Sequence, residues 1–282
     1  MGKQRIRLFP RRRTSLNYKL LAVDIDGTLL NSQGKLTDQT QKRIQEARER
    51  GVLFVLSTGR PIQGVKSLVD QIGGDFPLIT YNGAMVLRGK SQEVLYSSSL
   101  RNEDLLEAYQ AGEKRQATML IWSDNKLYAN KDNQKSRHYS SLTNTPFKVI
   151  ETIDELNRPA TKILWYEEEN LLKEYQKELD GEIVSNTMVY HTSRPYFLEF
   201  VHRKASKAIA IEQLCQAFQI KREETIAVGD SYNDISMIEY AAVGVAMENA
   251  PDEIKEKADF ITRDCDHEGV SHVIERFILR ED

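Results

Sequence analysis

Asp24 and Asp26 stand two residues apart at the end of a short unbroken apolar run, Leu20-Leu21-Ala22-Val23. Such a run suits a strand buried on both faces, and carboxylates leaving its carboxyl end can aim into one crevice, where open α/β sheets bind ligands. Two other apolar runs end in matching chemistry. Val52 to Leu56 leads into Ser57-Thr58-Gly59-Arg60, and Thr225 to Val228 leads into Gly229-Asp230-Ser231-Tyr232-Asn233-Asp234. With the three strands parallel and adjacent, carboxylates, a hydroxyl and an amide surround one pocket, and hard oxygen donors of that kind suit Mg²⁺. Lys207 adds a cation in the first turn of a helix predicted over 206–218, where the helix dipole disfavours positive charge by a few tenths to about 1 kcal/mol. A nearby cluster of aspartates and a bound phosphate would compensate it; Lys204, ahead of the helix, is the weaker candidate.

Positioning these residues takes a particular order of elements. Thr37 can cap a helix running to Arg50, and Gly51 sits where a helix end wants a left-handed residue. A further helical stretch follows Pro61, then a strand at 78–80 ending at Asn82-Gly83. Strand, helix, strand, helix, strand predicts a parallel sheet with crossover helices. From about residue 84 to 196 the strands shorten and alternate, as at 117–122 and 126–129, with helices predicted over 102–116 and 167–179. After Phe197 to Val201 the first style returns, with a helix over 206–218, a strand over 225–228, a helix over 234–240 and a strand over 243–246. The expected fold is α/β, a Rossmann-like parallel-sheet core with an inserted α+β cap domain. The expected divisions are a disordered basic extension over 1–17, core over 18–84, cap over 85–197 and core again over 198–282.

Asp24-Ile25-Asp26-Gly27-Thr28-Leu29-Leu30, Ser57-Thr58-Gly59-Arg60, Lys207 and Gly229-Asp230-Ser231-Tyr232-Asn233-Asp234 resemble the four ordered motifs of the haloacid dehalogenase superfamily. The tail Val245-Ala246-Met247-Glu248-Asn249-Ala250, with Ala258-Asp259 and Gly269-Val270, is similar to the Cof-type hydrolases within it, whose cap lies between the second and third motifs. The resemblance implies a Mg²⁺-dependent phosphatase acting on a small phosphorylated metabolite, a sugar phosphate or a nucleotide-like cofactor. It makes Asp24 the nucleophile, carrying a phosphoaspartate, and a metal ligand. Asp26 becomes the general acid and base, with its backbone carbonyl on the metal. Thr58, the Gly59 amide, Lys207, Asn233 and the Ile25 amide would hold the phosphate. Asp230 would bind Mg²⁺ with Ser231 nearby, Asp234 would orient that shell, and Asn249 would face the substrate. A phosphomutase on the same fold and a non-catalytic phosphometabolite-binding protein are the alternative functions. Tyr232 is bulkier than the family pattern expects.

An ordinary carboxyl pKa near 3.9 would leave Asp24 ionised at neutral pH, so the nucleophile would need no activating base. Composition narrows the partners. A chain of 282 residues, 40% hydrophobic and 29% charged, can bury a two-lobed core, and a formal charge of −3 provides no field for a nucleic-acid backbone. Two cysteines, Cys215 and Cys265, are too few for a disulfide framework and point to a cytoplasmic setting. Cys215 falls with Ile211, Leu214 and Phe218 on one helix face and reads as core. No membrane span is expected, and a monomer or weak homodimer is. The five histidines show no metal-ligand spacing, and Gly89-Lys90-Ser91 reads as a hairpin turn, not a nucleotide-binding loop.

Overall fold

The computed structural model describes residues 18–156 and 158–280, so the basic extension expected over 1–17 lies outside the described residues. The apolar run at the start forms β1 (Leu20–Asp24), every residue of which is buried. Its alternate side chains enter two separate clusters, Leu21 and Val23 on one face and Leu20 and Ala22 on the other. A strand covered on both faces needs no polar alternation, which explains its unbroken hydrophobicity. Helix α1 (Asp38–Glu49) starts at Thr37, whose side chain accepts the Thr40 N–H, and Gly51 follows it at φ +83°. Then come β2 (Leu53–Ser57), α2 (Lys66–Ile72), β3 (Pro77–Thr80), β4 (Met85–Arg88) and β5 (Val94–Ser97).

The middle of the chain contains α3 (Asn102–Lys114), β6 (Thr118–Ser123), β7 (Lys126–Ala129), α4 (Gln134–Thr143), β8 (Phe147–Val149), β9 (Ala160–Tyr166), α5 (Glu169–Glu182), β10 (Met188–Arg194) and β11 (Phe197–His202). The chain then returns through α6 (Lys207–Ala217), β12 (Thr225–Gly229), α7 (Ile235–Tyr240), β13 (Val243–Ala246), α8 (Asp252–Lys255), β14 (Phe260–Ile261) and α9 (Gly269–Ile274). The larger sheet has the order β14-β13-β12-β1-β2-β3-β4-β5, and the smaller β10-β11-β9-β6-β7-β8. In the larger sheet β14 through β3 run parallel, and β4 and β5 add antiparallel.

Two boundaries differ from the sequence expectation of a cap over 85–197. Residues 85–97 pair with the larger sheet, because the tight turn after β3 can only return the chain antiparallel along the same edge. Phe197–His202 pairs with β9 and β10 in the smaller sheet, so the passages between sheets fall at 98–101 and 203–206. Helix α4 and strands β8, β9 and β10 are not among the expected elements. Cys215 is buried in the cluster with Ile211 and Leu214, and both cysteines are free.

The inserted unit packs over the core. Leu120, Trp122, Leu164 and Phe197 share one buried cluster with Ile62 and Tyr81 of the core, and the Tyr81 and Trp122 rings lie 5.5 Å apart. Asn125, in the β6–β7 turn, accepts from the Tyr81 hydroxyl on Oδ1 at 3.2 Å and from Gln63 Nε2 on its carbonyl at 2.5 Å. Among the described residues, no helix is long and apolar enough to cross a membrane.

Candidate active site

The register of the larger sheet decides where the acidic residues go. Asp24 lies opposite Ser57 on β2, and Val23 lies opposite Val228 on β12, so three strands end together and their following loops share one rim. Residues more than two hundred positions apart therefore meet. Carboxylate oxygens of Asp24, Asp230 and Asp234 all lie within 4.8 Å of one another.

Lys207 sits in their midst with its side chain wholly buried. Its Nζ donates to Asp24 Oδ1 at 2.6 Å and to Asp234 Oδ1 at 2.5 Å, and lies 3.4 Å from the Ser57 carbonyl. The compensation expected for a lysine at a helix start is thus two aspartates. Gly83 lets the helix come this close: at φ +99°, a Cβ there would lie 2.2 Å from the Ser206 backbone. Asp234 uses Oδ2 to accept the Asp230 and Ser231 N–H groups at 3.1 and 2.9 Å. With both oxygens engaged, Asp234 is placed to orient its neighbours. Asp230 accepts from Thr28 Oγ1 at 2.9 Å and from Ser231 Oγ at 3.4 Å. Gly27, at φ +77°, passes so near that a Cβ would meet Asp230 Oδ2 at 2.4 Å.

Three carboxylates against one ammonium leave the pocket short of positive charge. Burial pushes the Asp24 carboxyl up to about 8, opposed by Lys207 and reinforced by repulsion from Asp234 and Asp230. Burial likewise raises Asp230 to about 6, against the Thr28 hydrogen bond. This departs from the expectation that Asp24 ionises like an ordinary carboxyl, because desolvation outweighs the lysine. The site fits a divalent cation: a hard-oxygen donor set, clustered, with protons standing where positive charge is wanted.

The cleft above these residues has a volume of about 730 Å³ and is lined by Asp24, Asp26, Thr58, Gly59, Ser231 and Asn233 from the core. Thr58 is buried, and its Oγ1 accepts the Arg60 N–H at 3.1 Å while its own proton remains available to a ligand. Asn233 donates from Nδ2 to Asn82 Oδ1 at 3.0 Å, which fixes its amide at the rim. The Ile25 side chain is buried in the core, and its carbonyl accepts the Leu29 and Leu30 N–H groups at 3.1 and 3.0 Å. Asn249 departs from expectation. Its Nδ2 donates to the Gly27 carbonyl at 2.9 Å and its Oδ1 accepts the Cys265 N–H at 3.1 Å, so its amide ties two loops together and does not line the cleft.

Several further residues, to which the motifs assign no role, line the cleft. Arg60 grips Asp26 through both carboxylate oxygens, with Nε to Oδ2 at 2.9 Å. From the cap come Tyr139, Ser193, Lys162 and Glu199, the last two joined in a buried ion pair at 2.8 Å. The signal available was a charge at an inward position of an apolar strand, as in Thr161-Lys162-Ile163-Leu164 and Phe197-Leu198-Glu199-Phe200.

A parallel sheet carrying acidic residues at two adjacent strand ends and a hydroxyl-bearing loop at a third, under an inserted α+β unit, defines a class, and the chain belongs to it: residues 21–274 match the haloacid dehalogenase-like hydrolase family. It is a Cof-type hydrolase of the phosphatase kind. The chain is 35% identical over 271 residues to the putative phosphatase YxeH of Bacillus subtilis, covering 93% of this chain and 99% of that one. It is 27% identical over 289 residues to the 5-amino-6-(5-phospho-D-ribitylamino)uracil phosphatase YwtE of the same organism, covering 92% and 98%. A crystal structure of a haloacid dehalogenase-like hydrolase from Bacteroides thetaiotaomicron superposes with a TM-score of 0.81 at 29% identity, over 92% of this chain and 99% of that one.

Proposed function

We propose that the protein is a Mg²⁺-dependent phosphatase that removes phosphate from a small phosphorylated metabolite through a phosphoaspartate on Asp24. The observation that carries this reading is the cluster of buried Asp24 and Asp234 and half-buried Asp230 about Lys207, with its deficit of positive charge at the floor of a cleft. Asp24 and Asp230, with the Asp26 backbone carbonyl and Ser231 at the edge, would hold Mg²⁺, which would neutralise phosphate charge and bring the Asp24 carboxyl into its ionised form.

The chain's own groups do the rest. Lys207, Thr58, the Gly59 and Ile25 amides and Asn233 bind the phosphate oxygens and fix the phosphorus in line with Asp24. An Asp24 oxygen attacks phosphorus, and the bond from phosphorus to the substrate oxygen breaks. Asp26, released from Arg60 and protonated, gives its proton to that departing oxygen. Asp26 then takes a proton from the water that attacks the phosphoaspartate, which releases phosphate and restores Asp24. The cap over the cleft limits bulk water during both steps.

Asp24→Asn tests the reading. Phosphate release from aryl and metabolite phosphates in Mg²⁺ is expected to fall at least about a thousandfold while inorganic phosphate still binds. Activity within tenfold of wild type removes Asp24 as the nucleophile. The same assay separates hydrolysis from a mutase, which would retain the phosphate.

A further inference from the structure

The face of the smaller sheet that packs toward the core is apolar at Leu120, Trp122, Leu164 and Phe197, all buried. Lys162 and Glu199 interrupt it. Lys162 stands opposite Trp122 on β6, and Glu199 opposite Leu164 on β9, which sets the two charges diagonally on that one face. Lys162 Nζ donates to Glu199 Oε2 at 2.8 Å, and Ser193 Oγ donates to Glu199 Oε1 at 2.7 Å. The residues are only 5% and 7% exposed, yet both line the same cleft as Asp24 and Thr58.

Stability alone does not account for the pair. Two buried charges lose hydration, and well-packed apolar residues in their place are often neutral or better. Their hydrogen-bonding capacity is also unfilled. The ammonium has three protons, with Glu199 and the Tyr139 hydroxyl as its partners, and each carboxylate oxygen can accept a second bond. A donor and an acceptor stand side by side, facing a cavity of about 730 Å³. Adjacent hydroxyls match that arrangement: one donates to Glu199 while its neighbour accepts from Lys162. A leaving group without hydroxyls covers both charges and returns nothing, which is where discrimination arises.

We propose that Lys162 and Glu199 are specificity-determining residues that select a polyhydroxylated leaving group, the sugar or polyol portion of the phosphate ester. This inference rests on the phosphatase reading above. The test compares sorbitol 6-phosphate, ribose 5-phosphate and glucose 6-phosphate with p-nitrophenyl phosphate, whose leaving group bears no further hydroxyl. The quantity read is the ratio of kcat/KM for the best sugar or polyol phosphate to that for p-nitrophenyl phosphate.

In Glu199→Gln, and in the double change Lys162→Met with Glu199→Leu, that ratio falls about tenfold or more. A purely structural role would lower both rates together, so a ratio within about twofold of wild type in a folded variant overturns the inference. The double variant replaces the pair by apolar side chains of similar size, and Glu199→Gln keeps the shape, so either folded variant suffices. Wild-type protein that released phosphate from none of the probes would instead overturn the phosphatase reading, and this inference with it.

Discussion

Magnesium binding should be steeply pH-dependent, because the cation competes with protons for the same oxygens. Asp24 titrates at about 8 in the folded protein without a cation, raised from 3.8. At pH 5.5 only about one molecule in 300 carries it ionised, whereas at pH 8.5 about three in four do. Displacing that proton weakens the apparent affinity roughly two hundredfold at the lower pH. Asp230, at about 6, adds at most about fourfold, reduced by its partial contact with solvent. Together these predict a dissociation constant two to three orders of magnitude larger at pH 5.5 than at pH 8.5. Isothermal titration with MgCl₂ at constant ionic strength measures it. The sign in the cation-free protein is opposite: a carboxyl with a raised folded pKa contributes stability fully present below about pH 4 and lost as pH rises through about 8. Mg²⁺ should therefore raise Tm most where the free protein is weakest, at alkaline pH. Constants that agree within threefold at the two pH values would refute the competition, and with it the placement of the cation on Asp24.

Two substitutions probe the surroundings. Lys207→Met leaves Asp24 and Asp234 buried without their shared ammonium, at a cost of about 3–5 kcal/mol. Tm should fall by roughly 6–10 °C, and less at pH 5 than at pH 8; a loss under about 2 °C in a thermal melt contradicts the geometry. Gly27→Ala forces a left-handed backbone onto a side chain, costing about 1–2 kcal/mol, and drives Asp230 from its position. A melt and a Mg²⁺ titration should both shift, and an unchanged titration would separate Gly27 from the cation site.

The parallel core was legible because its strands are covered on both faces. Leu20 to Val23, Val52 to Leu56 and Ile226 to Val228 announce themselves as unbroken apolar runs, and each stops where its polar loop begins. The cap was less so. Its strands have one face on their own helices and the other on the core cleft, so Ala160–Tyr166 mixes Lys162 into an apolar stretch and Met188–Arg194 ends in four exposed residues. Helix α4 was hidden for a related reason: Gln134–Thr143 buries only Ser136 and Tyr139, and its start rests on Asn133 and Ser136 capping each other. Local sequence also misjudged Asp24. Its acidity depends on burial by residues far along the chain and on repulsion from Asp230 and Asp234, none of which spacing can express. Lys207 illustrates both sides of this. Its awkward position at a helix start implied a nearby acidic partner, yet which aspartates supply it follows from the register of β1 against β2 and β12 and from the close approach that Gly83 permits. The same registry that sets Asp24 beside Ser57 brings its carboxylate to Lys207, so a slip of one residue between those strands would turn Asp24 toward the opposite face and dissolve the site while leaving each strand's hydrophobicity unchanged.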